Sequence, residues 1–184
     1  KLRNELGVQP NEKLAIITRR MVPKNGVIYL AQAMQHLKNQ DLKLLFIGDG
    51  EEHAAITGTL ETHFPERYIM LGAMQHGEIV PYYSAADLSI LPSLMEATSI
   101  SCLEAMAAAL PIVCSNVGGL PFLVRDGENG FLSRAADPKS LADCLDRLLS
   151  TDMDAMGAAS RRAVDEKFSW LKIAEQTIDA YKQL

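Results

Sequence analysis

The chain has 184 residues and a formal net charge of −5, and 48% of its residues are hydrophobic. This length is sufficient for one domain with its own core, and the composition is typical of soluble globular proteins. A negative net charge gives no general attraction to nucleic acid or to anionic membranes, although a local basic patch could still bind phosphate, and no nucleic-acid partner is expected. No apolar run in the sequence reaches the length of a membrane span.

Apolar runs and amphipathic stretches alternate along the chain. A short helix is predicted within residues 1–12, strands at 13–18, 42–47, 68–71, 88–91, 111–114 and 130–132, and helices at 27–37, 51–63, 78–85, 138–149, 152–166 and 171–184. A further helix of small residues is predicted around Glu104. Because strands and helices alternate with short connections, we expect one α/β domain: a parallel sheet covered by helices on both faces, with a helical tail after about residue 137.

The three cysteines and four histidines form no recognisable pattern. They are Cys102, Cys114, Cys144, His36, His53, His63 and His76. The cysteines are scattered through apolar or helical segments, so we expect reduced, buried thiols rather than a disulfide framework. The histidines lack the spacing of metal ligands, and no metal site is predicted.

A basic loop follows the first predicted strand. Arg19, Arg20 and Lys24 precede Gly26, which leads into the next helix. On composition alone, a solvated basic turn is the better interpretation, because exposed charge is the common case.

The stretch from residue 88 to residue 132 holds two acids, Glu96 and Glu104, with seven residues between them. Glu96 falls in the loop after a strand, and Glu104 falls in the helix that follows. A carboxylate at the carboxyl edge of a sheet can accept hydrogen bonds from the vicinal hydroxyls of a sugar or ribose. Two plainer alternatives stay open here: Glu96 as a solvated loop acid, and Glu104 in a capping box with Ser101.

The start of the same helix suits a phosphate group. Thr98, Ser99 and Ile100 lie where free backbone N–H groups and the positive end of the helix dipole are expected. Ordinary N-capping by Thr98 or Ser99 is the alternative. Elsewhere, Gly48-Asp49-Gly50 carries the first two glycines of a dinucleotide fingerprint, but the third position is His53, so NAD binding is rejected.

The order of motifs resembles a known family. Pro92-Ser93, Glu96, Leu103-Glu104-Ala105-Met106-Ala107, a strand that starts at Pro111, and Gly118-Gly119 follow one another. This string is similar to the donor half of retaining glycosyltransferases of the GT-B type, in the large family-4 group (glycosyltransferase group 1). The resemblance covers residues 13–184. It implies a Rossmann-like, three-layer α/β/α parallel sheet with C-terminal helices, which is the C-terminal half of a GT-B fold.

The resemblance also implies roles for several side chains. Glu104 would hold the nucleotide ribose and Glu96 would orient the donor sugar. Arg20 would offset the charge that builds on the leaving diphosphate. In the family a Lys directly before the glycine of the basic loop also serves the diphosphate; here Asn25 occupies that position and Lys24 lies one place earlier. Whether this departure impairs activity is left open.

The remaining predicted contacts belong to the loops at the donor site. Thr98, Ser99 and Ile100 would approach the diphosphate, and Gly48 would form part of the site wall. The loop of Gly72 and Ala73 would pack against the base. The donor is therefore expected to be a nucleotide sugar, with UDP-, GDP- and ADP-sugars all open, and neither a cofactor nor a resident metal is expected.

The implied function is transfer of a sugar from this donor to an acceptor hydroxyl with retention of configuration. Because the chain starts at Lys1 within a charged pattern, we expect a single domain, 1–184, excised from a longer protein, with the N-terminal acceptor domain missing as its partner. The isolated domain is expected to transfer little or no sugar. We expect a cytoplasmic location, with association at the inner membrane face open only through the missing part. A non-catalytic nucleotide-sugar-binding module and a GT-B sugar-nucleotide epimerase are the alternatives.

Overall fold

The computed structural model describes residues 1–183 as one six-stranded sheet with helices on both sides. The strands are β1 (Lys13–Thr18), β2 (Leu42–Ile47), β3 (Tyr68–Met70), β4 (Leu88–Leu91), β5 (Ile112–Ser115) and β6 (Gly130–Ser133). The helices are α1 (Leu2–Glu5), α2 (Val27–Ala33), α3 (His53–His63), α4 (Val80–Ala85), α5 (Ile100–Ala107), α6 (Leu120–Leu123), α7 (Pro138–Leu149), α8 (Met153–Lys167) and α9 (Trp170–Lys182).

All neighbouring strands are parallel, in the order β3-β2-β1-β4-β5-β6. The chain builds outward from β1 to β3, and then returns to place β4 on the other side of β1. In the register of that central pair, Ala15 lies opposite Leu88. Open parallel sheets bind ligands outside the carboxyl ends of the strands where the order reverses in this way. The topology therefore directs attention to the ends of β1 and β4.

Neighbouring residues of each strand face opposite sides of the sheet, and both sides are buried. On β1, Ile17 packs in the cluster covered by α2, α3 and α7, whereas Ile16 packs in the cluster beneath α4, α5 and α6. Full burial of such a side chain stabilises the fold by roughly 2 kcal/mol. This double burial explains why the strands are continuous apolar runs rather than alternating ones. The predicted three-layer parallel α/β/α fold is confirmed.

The predicted segments differ from the observed ones mainly at helix ends. α2 is shorter than predicted, because residues 34–36 tighten into a 3₁₀ turn before the chain leaves the helix. Residues 76–78 likewise form a 3₁₀ turn ahead of α4, with Gln75 and Glu78 in a reciprocal capping box. The first helix ends at Glu5, and α6 was not predicted at all, since four residues give no readable period.

The last helix packs on the sheet domain only weakly. α9 covers most of the segment predicted for it, whose final residue, Leu184, lies outside the described residues. Trp170 is 86% exposed and Tyr181 is 73% exposed. Among residues 1–183, no helix combines the length and the apolar character that crossing a bilayer requires.

Candidate active site

Two loops lie side by side at the carboxyl ends of β1 and β4. The backbone N–H of Leu94 donates to the carbonyl oxygen of Lys24 at 2.9 Å, which ties the loop after β4 to the loop after β1. Gly26 allows this approach, because a Cβ there would collide with the carbonyl of Pro92 and its φ of +63° is unfavourable for other residues. The basic loop and the first acid of the motif are thereby brought together.

Glu96 is held by Arg19, the arginine that was not assigned a role. The Arg19 guanidinium donates to the Glu96 carboxylate and to the Ser93 hydroxyl. The two charged side chains are only 12% and 14% exposed, so this is a largely buried ion pair. Within residues 1–183, Arg19 Nε is buried without a hydrogen-bond partner, which makes the arrangement costly as it stands.

Gly118 and Gly119 pack closely against the backbone of Glu96. The N–H of Gly119 donates to the carbonyl oxygen of Glu96 at 3.1 Å. A Cβ on Gly118 would collide with that same carbonyl, and Gly118 has a φ of +52°. The Gly-Gly pair of the motif is therefore a requirement of close backbone approach, which sets the position of the acid.

The other members of the basic loop line a cavity of about 330 Å³ together with Arg19 and Glu96. Arg20 and Lys24 are exposed there, so their charges are available to an anion. Asn25 is only 8% exposed, and its side-chain amide donates to the carbonyl oxygen of Arg20 at 2.8 Å. The Asn25 side chain thus shapes the loop that presents Arg20.

Glu104 lies at the other end of the same region, in different surroundings. Its Oε2 accepts a hydrogen bond from the Tyr83 hydroxyl at 3.1 Å, and its Oε1 lies 3.3 Å from Nδ1 of His76. The Tyr83 oxygen is also 2.7 Å from Oγ1 of Thr18, the last residue of β1. Burial raises the pKa of the Tyr83 phenol above its ordinary value, a shift reinforced by the Glu104 charge, so the hydroxyl stays protonated and can donate.

Glu104 also lines a second cavity, of about 350 Å³, which shares Thr18, Arg19 and Arg20 with the cavity at Glu96. The two cavities adjoin at these three residues. They form a cleft that has Glu104 at one end and Glu96 at the other.

Gly48 and Ala73 were predicted in this region, and both line the cavity at Glu104. The N–H of Gly48 donates to the carbonyl oxygen of Gly72 at 2.7 Å, which joins the loops after β2 and β3. Gly48 has a φ of +143°, and a Cβ there would collide with the Arg19 carbonyl. This wall of the cleft is therefore built from backbone that approaches more closely than side chains allow.

The start of α5 divides the remaining predicted residues. Ser99 is the N-cap: it is buried, and its Oγ accepts from the N–H of Cys102 at 3.3 Å. Its side chain is therefore occupied and does not reach the cleft. The capping-box alternative for Glu104 is wrong, because Ser101 lies inside the helix rather than at its cap. Thr98 and Ile100 are exposed, and Thr98 faces a neighbouring cavity that also contains Gly119.

The cysteines are free and buried, as expected from their apolar contexts. Burial raises the pKa of Cys102 to about 12 and that of Cys114 well above its ordinary value, so both are neutral thiols. Residues 1–183 contain no group of three or more His, Cys, Asp or Glu side chains placed to hold a metal ion.

Four residues of the site were assigned no role from the sequence: Thr18, Arg19, His76 and Tyr83, the last because an aromatic residue on a helix is more often part of the core. One signal could have identified Arg19. Its N–H still pairs with Ile47 of β2, so the backbone remains strand-like and adjacent side chains point to opposite sides. Two consecutive arginines at the end of a strand therefore point to opposite sides, and one of the two is directed inward.

Comparisons with known proteins identify the family of the chain and its fold. The family model described as "Glycosyl transferases group 1" matches residues 1–165. An uncharacterised glycosyltransferase of Methanocaldococcus jannaschii is 32% identical over 184 residues, covering 98% of this chain and 47% of that protein. Sucrose-phosphate synthase from Thermosynechococcus elongatus superposes with a TM-score of 0.86 at 29% identity, covering 98% of this chain and 47% of that one.

A further solved structure, HepE of Anabaena in complex with UDP, gives a TM-score of 0.89 over 100% of this chain and 52% of its own, at 23% identity. That level of identity supports the fold alone. The chain spans about half the length of these relatives. The resemblance in the motif string is confirmed: the chain belongs to the glycosyl transferase group 1 family and has the Rossmann-like fold of a GT-B C-terminal domain.

Proposed function

We propose that the cleft between β1 and β4 binds a nucleotide sugar, and that the complete protein transfers the sugar to an acceptor hydroxyl with retention of configuration. One observation carries this proposal. Two carboxylates, Glu104 and Glu96, stand at opposite ends of a cleft whose middle is lined by Arg20. A nucleotide sugar presents hydroxyls at both ends and a dianionic diphosphate in between, so the polar groups match in order.

The groups of the donor are assigned by this match. The ribose hydroxyls donate to Glu104, and the base lies against the backbone wall at Gly48 and Ala73. The diphosphate lies at Arg20, near the amino-terminal end of α5, where backbone N–H groups and the helix dipole favour an anion. Lys24 adds a second cation in place of the lysine that Asn25 replaces. Neutralising charge on the leaving diphosphate is the electrostatic part of catalysis.

The sugar then lies at Glu96. Its hydroxyls meet a carboxylate that Arg19 already neutralises in part, so Glu96 acts by orienting the sugar rather than as a free base. UDP-, GDP- and ADP-sugars all stay open as donors, and UDP is the first to test because HepE, which shares the fold, has been solved with it. Since the chain spans about half of its relatives, we assign acceptor binding to a second domain and expect this chain alone to bind donor but transfer little sugar.

A non-catalytic nucleotide-sugar-binding protein is the second candidate. Two observations favour it: Arg19 occupies the Glu96 carboxylate, and Asn25 stands where the family has a lysine. The two candidates predict the same donor binding. They differ in sugar transfer by a protein that contains this chain together with an acceptor domain.

The test is titration calorimetry of the chain with UDP, GDP and ADP. We expect one nucleotide to bind, and the Glu104→Ala and Arg20→Ala variants each to weaken it about tenfold, the scale of one charge-assisted contact. Asp143→Ala is the matched control, because Asp143 is exposed on α7, which covers the other face of the sheet. Equal affinities for all four proteins, or no binding of any nucleotide at millimolar concentration, would contradict the proposal.

A further inference from the structure

Tyr83 is a buried aromatic residue whose hydroxyl contacts three residues that line the cavity at Glu104. Its side chain packs in the core beneath α4 and α5, and the residue is only 5% exposed. Its hydroxyl reaches Thr18, Glu104 and the Ser101 carbonyl, at 2.7, 3.1 and 3.4 Å. Packing alone requires only the ring of Tyr83, so its hydroxyl beside the Glu104 carboxylate indicates a further role.

The directions of these hydrogen bonds follow from the chemistry of the partners. The Glu104 carboxylate and the Ser101 carbonyl both only accept, and the single Tyr83 proton goes to Glu104 Oε2, which is the nearer acceptor and carries the charge. The Tyr83 oxygen is then free to accept, and the Thr18 hydroxyl donates to it. The result is a chain of hydrogen bonds from Thr18 at the end of β1, through the Tyr83 hydroxyl, to one oxygen of Glu104.

This chain occupies one carboxylate oxygen and leaves Oε1 to His76. Glu104 Oε1 is contacted by His76, whose side chain is 79% exposed and therefore easily displaced. Each carboxylate oxygen can accept two hydrogen bonds, so Oε2 also keeps one free position beside its bond to Tyr83. Without Tyr83, the flexible Glu104 side chain would have to be ordered by the ligand itself, which lowers affinity.

We propose that Tyr83 is a positioning residue that aims the Glu104 carboxylate at two adjacent ribose hydroxyls, so that the cleft selects ribonucleotides over 2′-deoxyribonucleotides. This inference rests on the proposed function. The two can be separated, because the inference concerns the ratio of two affinities rather than the existence of binding.

The experiment compares the dissociation constants of UDP and 2′-deoxy-UDP by titration calorimetry. We expect the unmodified chain to prefer UDP about tenfold, the scale of one hydrogen bond to a charged group. In Tyr83→Phe, which keeps the ring and removes only the hydroxyl, we expect the preference to fall to about twofold. Tyr82→Phe is the matched control, since Tyr82 neighbours Tyr83 on α4 and its hydroxyl forms no hydrogen bond with Glu104 within residues 1–183. Its ratio is expected to stay at the unmodified value.

Thr18→Val is a second variant, which leaves Tyr83 in place but removes the donor that orients it; its preference is also expected to fall. Glu104→Gln should abolish the preference. If Glu104→Gln loses the preference while Tyr83→Phe and Thr18→Val keep it, the role of Tyr83 is overturned and the proposed function stands. If the unmodified chain binds UDP and 2′-deoxy-UDP equally, the ribose contact of Glu104 is itself wrong and the role of Tyr83 falls with it.

Discussion

The two carboxylates of the cleft come from one sequence motif and occupy opposite environments. Glu96 lies in a loop, largely buried, with its charge compensated by Arg19. Glu104 lies on a helix, and its contacts are the neutral hydroxyl of Tyr83 and an exposed imidazole. The spacing of the two acids along the chain gives no indication of this difference.

These two environments suit the two acids to different roles. A carboxylate in a buried ion pair has part of its hydrogen-bonding capacity occupied, and removing its partner leaves an uncompensated charge. A carboxylate held by a neutral donor keeps its full negative charge for a ligand. We therefore expect substitutions at the Glu96 end to change mainly the free energy of unfolding, and substitutions at the Glu104 end to change mainly the affinity for nucleotide.

The largest expected effect comes from disturbing the close contact between Gly118 and the backbone of Glu96. Gly118→Ala places a methyl group against the Glu96 carbonyl at an unfavourable φ, and we expect it to lower the free energy of unfolding by about 3 kcal/mol or more in urea denaturation. Gly127→Ala is the matched control, because Gly127 has a φ of +81° but open space around its Cβ position. It should cost only about 1 kcal/mol. Equal costs would show that the close approach to Glu96 is unimportant.

The next effect distinguishes the two adjacent arginines. Arg19→Met leaves Glu96 buried without its cation, and we expect a loss of about 3 kcal/mol in the free energy of unfolding. Arg20→Met, at an exposed position, should change it by less than about 0.5 kcal/mol while weakening nucleotide binding. Urea denaturation and calorimetry of both variants measure the two properties. The account of the Glu96 end fails if Arg20→Met proves the more destabilising.

The smallest effect concerns the core next to Glu104. Burial raises the pKa of Cys102 to about 12, whereas a thiol in the unfolded chain titrates near pH 8.5. Above that pH the unfolded chain releases a proton that the folded chain retains, so this residue makes stability fall as pH rises toward 12. Between pH 9 and pH 10, the unmodified chain should lose about 1 kcal/mol more than Cys102→Ala does, as measured by urea denaturation at each pH. Parallel losses in the two proteins would exclude a contribution from Cys102.

Much of the fold could be predicted from the sequence because both faces of the sheet are buried. Each strand is a short apolar run between turn residues, and the helices carry an apolar stripe, so the six strands and most helices were identified. The four-residue α6 was not predicted, because a helix of about one turn is too short to show a helical period. The strand order, which places the cleft between β1 and β4, is a property of long-range packing that local patterns do not carry.

The site was less predictable than the fold, for a physical reason. The motif indicates which residues stand at the loops, but the partner of each charge depends on side-chain direction. Arg19 and Arg20 are the same residue type at adjacent positions. Only the strand-like backbone at the end of β1 turns Arg19 inward. Tyr83 lies on a different helix from Glu104, so their contact follows from the tertiary fold alone.

The most direct test of the account is a crystal structure of the chain with UDP. We predict the ribose hydroxyls within hydrogen-bond distance of Glu104, the diphosphate at Arg20 and the start of α5, and the terminal phosphate directed toward Glu96. A nucleotide bound in the reverse direction, with its ribose at Glu96, or bound outside the cleft between β1 and β4, would contradict the central claim.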